Sequence, residues 1–270
     1  MKGIADYQFI RLLGEGNHGR CWLAHPPPRL DLDAGHVAVK TLTQRTSDDD
    51  NRRLLDEMRL YTTVDSPHLV PLYDAGQQDG QLFYASAYQP DGALDEAAAG
   101  LAPHAIMHVV ACAARAAHAM HEIGVSHRDI KPQNVFVADD GGTLGDLGVA
   151  QLLNRGQTVT GIGPVGAIEY QAPEMLRGSS GSRAADVWAL GATLHDALTG
   201  ASLYPGLVPG DLLASLRHVL STRPLVDPDL DPDTQSIVEA CLALDPADRP
   251  LTAEELADRL DALATRDVTA

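Results

Sequence analysis

Aromatic residues are scarce in this chain: two Trp, three Phe and seven Tyr make up 4% of 270 positions. Its core must therefore be filled mostly by aliphatic residues and alanine, and an apolar fraction of 44% is enough for a folded globular body. Cysteine is equally sparse. Cys21, Cys112 and Cys241 are odd in number, far apart and outside any Cys-x-x-Cys spacing, which excludes a disulfide framework and a zinc ribbon. A reducing cytoplasm is the expected compartment. Lys and Arg number 20 against 37 Asp and Glu, giving a formal charge of -17, which makes nucleic acid and anionic membrane surfaces poor partners for want of clustered cations. Such an acidic body favours basic or neutral substrates. No apolar run reaches the roughly 18 residues of a membrane span, and Met1-Lys2-Gly3 opens no signal-peptide core, so no membrane anchor is expected.

What is present is a series of short patterns in a fixed order. Strand-like residues from Tyr7 to Leu13 give way to Gly14-Glu15-Gly16-Asn17-His18-Gly19, and a strand resumes at Cys21. This reads as a hairpin tipped with glycines, whose backbone N–H groups can approach phosphate oxygens. A Gly-x-Gly-x-x-Gly also occurs in dinucleotide-binding folds, but there a helix follows it, and no helical period follows here. Taken alone, the motif leaves a plain glycine-rich turn equally open. Residues 25–35, with three consecutive prolines, are expected to form a surface insertion. Val37-Ala38-Val39-Lys40 alternates as a strand and ends in a lysine, and a helix is expected downstream where Leu54, Met58 and Tyr61 recur at helical spacing, with Glu57 able to face Lys40.

Farther on, an apolar strand over residues 82–88 runs into the turn Gln89-Pro90-Asp91-Gly92. A long helix follows, marked by Ile106, Val110, Ala113, Ala117 and Met120 and stopped at Gly124. Residues 127–134 read His-Arg-Asp-Ile-Lys-Pro-Gln-Asn, placing a carboxylate, a cation and a carboxamide on a turn that Pro132 keeps from continuing as regular helix. Then come a hairpin turn at residues 139–142, Asp146-Leu147-Gly148, a loop rich in Gly and Thr, and Ala172-Pro173-Glu174. Next is a helix opened by Asp186 with Val187, Leu190, Leu194 and Leu198 on one face. Residues 227–233 alternate Asp with Pro or Leu but lack the sixth-position Gly and twelfth-position Glu of a calcium loop. Asp248-Arg249-Pro250 and a capping pair, Thr252 with Glu255, precede a last helix whose Leu256, Leu260 and Leu263 are expected to face inward.

In order and spacing these motifs resemble the eukaryotic-type (Hanks-type) Ser/Thr protein kinases, of the bacterial branch given the Ala-rich, compact chain. The resemblance covers about Tyr7 to Leu263. It implies an α+β, bilobal protein-kinase fold: a small β-rich N-lobe with one main helix over residues 1–88, a larger helical C-lobe over 89–265, and a tail at 266–270. The implied activity is transfer of the γ-phosphoryl of ATP to protein Ser/Thr hydroxyls, with Mg²⁺ and with autophosphorylation of the activation loop.

Residue by residue, the resemblance assigns catalysis to Asp129, which takes the hydroxyl proton, Lys131, which balances γ-phosphoryl charge, and the Lys40–Glu57 pair. Gly14, Glu15, Gly16, Gly19, Cys21, Ala38, Lys40, Ser86 (gatekeeper), the backbone of Ala87 and Gln89, and Phe136 (adenine floor) would surround ATP. Asn134 and Asp146 would hold the metal, since Mg²⁺ takes oxygen ligands. Thr158 and Thr160 would be phosphosites read by Arg128. His127 would be a packing residue, Leu147 would fill a slot between Tyr61, Leu72 and His127, Asp186 would bond the catalytic-loop backbone, and Arg249 would pair with Glu174. A homodimer through the small lobes stays open. Ala167 departs from the family, where a Thr hydroxyl usually supports the catalytic Asp and Lys. Ala167, Leu147 and Cys21 suggest a rival, a pseudokinase that binds nucleotide or a partner without transfer. A small-molecule kinase of the aminoglycoside type is the other, but it would lack the Lys131 pattern and Ala-Pro-Glu.

Overall fold

The computed structural model describes residues 3–16, 19–42, 48–146, 165–207 and 210–269. Two compact units emerge, one from residues 1–64 and 70–90, the other from 65–69 and 91–270.

The smaller unit is an antiparallel sheet in the order β1-β2-β3-β5-β4. Its strands are β1 (Gln8–Gly16), β2 (Gly19–His25), β3 (Val37–Leu42), β4 (Leu72–Gln78) and β5 (Gln81–Ala87). Helix α1 (Asp48–Tyr61) packs on β4 and buries Leu54, Met58 and Tyr61, the expected stripe. Alternation sorts the strand residues between two faces. Val37, Val39, Phe83 and Ala85 are buried on the outer face with Ile4, Tyr7 and Ala24.

The proline-rich insertion is less detached than its sequence suggests. A single 3-10 turn (Pro28–Leu30) folds it back, and Leu30 and Leu32 pack on the same outer cluster. Arg29 pairs with Asp74, which also accepts a 2.9 Å hydrogen bond from the Tyr7 hydroxyl. Burial and the neighbouring carboxylate push the Tyr7 phenol well above its ordinary range.

The larger unit is mainly helical: α2 (Leu94–Ala97), α3 (Pro103–Glu122), α4 (Pro173–Leu176), α5 (Arg183–Thr199), α6 (Leu212–Ser221), α7 (Pro232–Cys241) and α8 (Ala253–Thr269), with a hairpin of β6 (Val135–Ala138) and β7 (Gly141–Leu144). Helix α3 is buried nearly all round, because its alanines let α5 and α8 pack closely on it. Residues 65–69 belong with this unit: Leu144 N–H donates to His68 O at 2.8 Å and Leu69 bridges to Leu144.

Arg249 forms the expected fork with Glu174 (2.7 and 3.0 Å), donates to the carbonyls of Ala184 and Ala243, and stacks over Trp188. Residues 227–231 form a turn that leads into α7, with Asp231 capping the helix. At α8 the Thr252 hydroxyl accepts from Glu255 N–H, while the Glu255 carboxylate reaches Leu251 N–H, one residue beyond a true capping box. Leu256 and Leu260 are buried, but Ala264 takes the inward position expected of Leu263, which is half-buried. Residues 266–269, read from sequence as tail, continue α8. No helix among the described residues is long and apolar enough to cross a membrane.

Candidate active site

In the smaller unit, strand register decides which side chains share a face. Cys21 lies opposite Lys40, Leu23 opposite Ala38, Ala38 opposite Ser86 and Lys40 opposite Tyr84. Directly opposed residues project to the same side, so Cys21, Ala38, Lys40 and Ser86 all lie on the face away from the Val37–Val39 cluster. Lys40 and Glu57 are both half-buried in this unit. The glycine hairpin is closed by Gly14–Cys21, Glu15–Arg20 and Gly16–Gly19 pairs. Gly19 has φ 146°, and a Cβ there would overlap Thr41 O at 2.0 Å, so glycine is obligatory. At Gly14 and Gly16 the added Cβ would meet nothing within 4 Å, leaving room for an approaching phosphate. After β5, the Ala87 N–H donates to Pro71 O at 2.9 Å. Gln89 lies beyond the strand end, half-buried. Asn17 and His18 lie outside the described residues.

In the larger unit, residues 127–134 form a knot of hydrogen bonds. Asp129 is largely buried, and its Oδ2 accepts from Lys131 Nζ at 2.8 Å and from Asn134 Nδ2 at 3.0 Å. Asn134 Nδ2 also donates to Asp129 O at 2.7 Å. Both amide protons of Asn134 are thereby spent on Asp129, which turns its Oδ1, a hard oxygen donor, away as a ligand. Among the described residues Asp129 Oδ1 accepts no hydrogen bond.

Asp146, half-buried with φ 57°, follows a Gly145 held on both sides. Gly145 N–H donates to Asn134 O at 2.9 Å, and His127 Nε2 donates to Gly145 O at 3.1 Å. His127 is fully buried, and burial lowers its pKa, so the ring is neutral and carries its proton on Nε2. It therefore does more than pack, since it carries the backbone in front of Asp146. Phe136 sits on β6 opposite Thr143, beside a bridge to Ala93.

One buried carboxylate holds the whole loop. Asp186, in the first turn of α5, accepts from the N–H groups of His127 and Arg128, both at 2.8 Å, and from His121 Nε2 at 2.7 Å. The expected bonds to the loop backbone are present. Sequence reasoning missed His121, in the last turn of α3, and Gln171, whose amide donates to Arg128 O at 3.2 Å. Neither carries a periodic or motif signal, because each partner is remote in the chain. Leu147, Thr158 and Thr160 lie outside the described residues; Ala167, of which only the backbone is described, falls in a 3-10 turn (Val165–Tyr170).

An oxygen-binding cation fits this donor set. Among the described residues no group of three or more His, Cys, Asp or Glu is placed to hold a metal ion. A carboxylate from Asp146 and a carboxamide from Asn134 suit Mg²⁺, which keeps waters and phosphate oxygens in the rest of its shell.

Comparison with known proteins shows the family and the fold. The model of the protein kinase domain family matches residues 7–259. The chain is 32% identical to serine/threonine-protein kinase PknH of Mycobacterium tuberculosis over 264 residues, 94% of this chain and 41% of that protein. It is 31% identical to PknE of the same species over 274 residues, 98% of this chain and 47% of that protein. The chain thus spans less than half the length of these relatives. The crystal structure of the Mycobacterium tuberculosis PknI kinase domain superposes with a TM-score of 0.71 at 26% identity, covering 97% of both chains. With the motifs in order, the loop geometry in place and a family match over nearly the whole length, the chain belongs to the protein kinase domain family.

Proposed function

We propose that the chain transfers the γ-phosphoryl group of ATP to Ser and Thr hydroxyls of proteins. The observation that carries this reading is Asp129, whose Oδ2 is fixed by Lys131 and Asn134 while Oδ1 faces no protein donor among the described residues. Held this way, Asp129 orients an incoming hydroxyl through Oδ1 and accepts its proton as the new O–P bond forms. Lys131, already 2.8 Å from that carboxylate, lies where charge on the transferring group can be offset. Lys40 holds the α and β phosphates, oriented by Glu57, and the glycine hairpin covers them. Asn134 Oδ1 and the Asp146 carboxylate hold Mg²⁺, which when bound neutralises phosphate charge. Cys21, Ala38, Ser86 and the Ala87 and Gln89 backbone are the smaller unit's residues for adenine, and Phe136 is the larger unit's. Thr158 and Thr160 are autophosphorylated and read by Arg128. No disulfide joins the three cysteines, which fits work in a reducing compartment such as the cytoplasm.

The test is labelling with radioactive ATP and Mg²⁺ of the protein itself and of a generic basic protein. Asp129→Asn should lower labelling by at least about a hundredfold while nucleotide binding is retained. Undiminished labelling by that variant would remove Asp129 from its role.

A further inference from the structure

Two glycines in the segment between α4 and α5 are glycine for different reasons. Gly178 has φ 97°, and an added Cβ would meet nothing within 4 Å, so its requirement is conformational. Gly181 is not among the positive-φ residues, so its backbone accepts an L side chain. What forbids one is Arg128. A Cβ at Gly181 would lie 2.6 Å from Arg128 Cγ, 2.7 Å from Nε and 2.9 Å from Cδ. These atoms run along the stem of the arginine, so swinging the tip cannot relieve the overlap.

The main chain of Arg128 offers no relief either. Its N–H donates to Asp186 Oδ1 at 2.8 Å, its carbonyl accepts from Gln171 Nε2 at 3.2 Å, and its φ of 73° is one that few non-glycine residues adopt. With the backbone pinned at two points, only the side-chain torsions remain to place the guanidinium. The space at Gly181 decides which of them are available.

We propose that Gly181 is a positioning residue for Arg128: its missing side chain opens a notch in which the arginine stem lies, and this fixes the guanidinium in the orientation that receives a phosphate on the activation segment. The functional half of the proposal rests on the kinase reading above. A guanidinium recognises phosphate through paired, directional N–H···O bonds, so a displaced stem loses affinity even though the charge is kept.

The experiment is a double-mutant cycle of Gly181→Ala and Arg128→Ala, read in two ways. In thermal melting, Gly181→Ala should lower Tm by about 2–4 °C in the parent, and by much less once Arg128 is truncated, because the clashing atoms are gone. Equal losses in both backgrounds would overturn the notch. In the second reading, substrate labelling by autophosphorylated protein is divided by that of phosphatase-treated protein. Gly181→Ala should cut this ratio about fivefold or more, with the treated rate within about twofold of the parent. If Arg128→Ala loses the ratio and Gly181→Ala keeps it, positioning by Gly181 is refuted. A ratio unchanged in Arg128→Ala would instead refute phosphate reception by Arg128, on which the functional half depends. Should the parent label nothing, the kinase reading falls, while the melting cycle still decides whether the notch exists.

Discussion

The residues assigned to ATP in the smaller unit and those around Asp129 in the larger one are placed by opposite means. On the sheet, Cys21, Ala38, Lys40 and Ser86 share a face because strands alternate, and the buried outer cluster fixes which face that is. Their positions follow from apolar neighbours such as Val37 and Val39, which do no chemistry. Around Asp129 the positioning is done by polar groups that are themselves buried: Asp186, Asn134, His127 and His121. In such a network every missing partner leaves a dry donor or acceptor behind, so chemistry and stability are coupled there and separable on the sheet.

The largest effect expected is at Asp186. Asp186→Ala strips acceptors from the buried His127 N–H, the part-buried Arg128 N–H and His121, and should cost about 3 kcal/mol or more of folding stability, together with all measurable transfer. Chemical denaturation with a labelling assay reads both; a variant of parental stability would end the claim of coupling. Lys40→Met should lose activity about a hundredfold or more, yet shift stability by under about 0.5 kcal/mol, since Lys40 is half-buried on a face whose order comes from its neighbours. A large drop in stability would erase the contrast between the two regions.

A pH series sharpens the comparison from another side. His195 is fully buried on α5, and its Nε2 accepts the Asp227 N–H at 3.0 Å, which needs the neutral ring. Burial lowers its pKa from 6.5. As pH falls below about 6.5 the unfolded chain takes up a proton that the folded one refuses, so stability falls with pH until the lowered pKa is reached. His195→Gln, which keeps an acceptor, should flatten that acid-side slope; an unchanged slope would assign it elsewhere, His127 being shifted the same way. The smallest effect is expected for Tyr7→Phe, about 1 kcal/mol, from the lost bond to Asp74, with transfer activity unaffected.

Much of this was legible in the sequence where the signal is local. Strands β1, β2, β3 and β5 show alternation or glycine punctuation, α1 and α3 show helical stripes, and the chemistry-bearing residues stand in short runs. Strand β4 gave no signal, because Tyr-Asp-Ala-Gly-Gln-Gln contains no β-branched residue and is half-buried along most of its length. Helix α6 also went unread. The hub at Asp186 was visible through the family resemblance, but its bond to His121 spans 65 positions, and nothing at either end marks it. The Gly181 notch is invisible for a related reason: a glycine required by a remote side chain looks the same in sequence as one required by its own backbone.

The cover on the outer face of the sheet has a consequence for ligand binding. Ile4, Tyr7, Leu30 and Leu32 close that face with the chain's own residues, and the Tyr7–Asp74–Arg29 contacts tie the cover down. The cluster on that face is therefore closed by the chain itself, and a ligand on the opposite face, bound at a hundredfold excess over Kd, would add about 2.7 kcal/mol of stability by mass action.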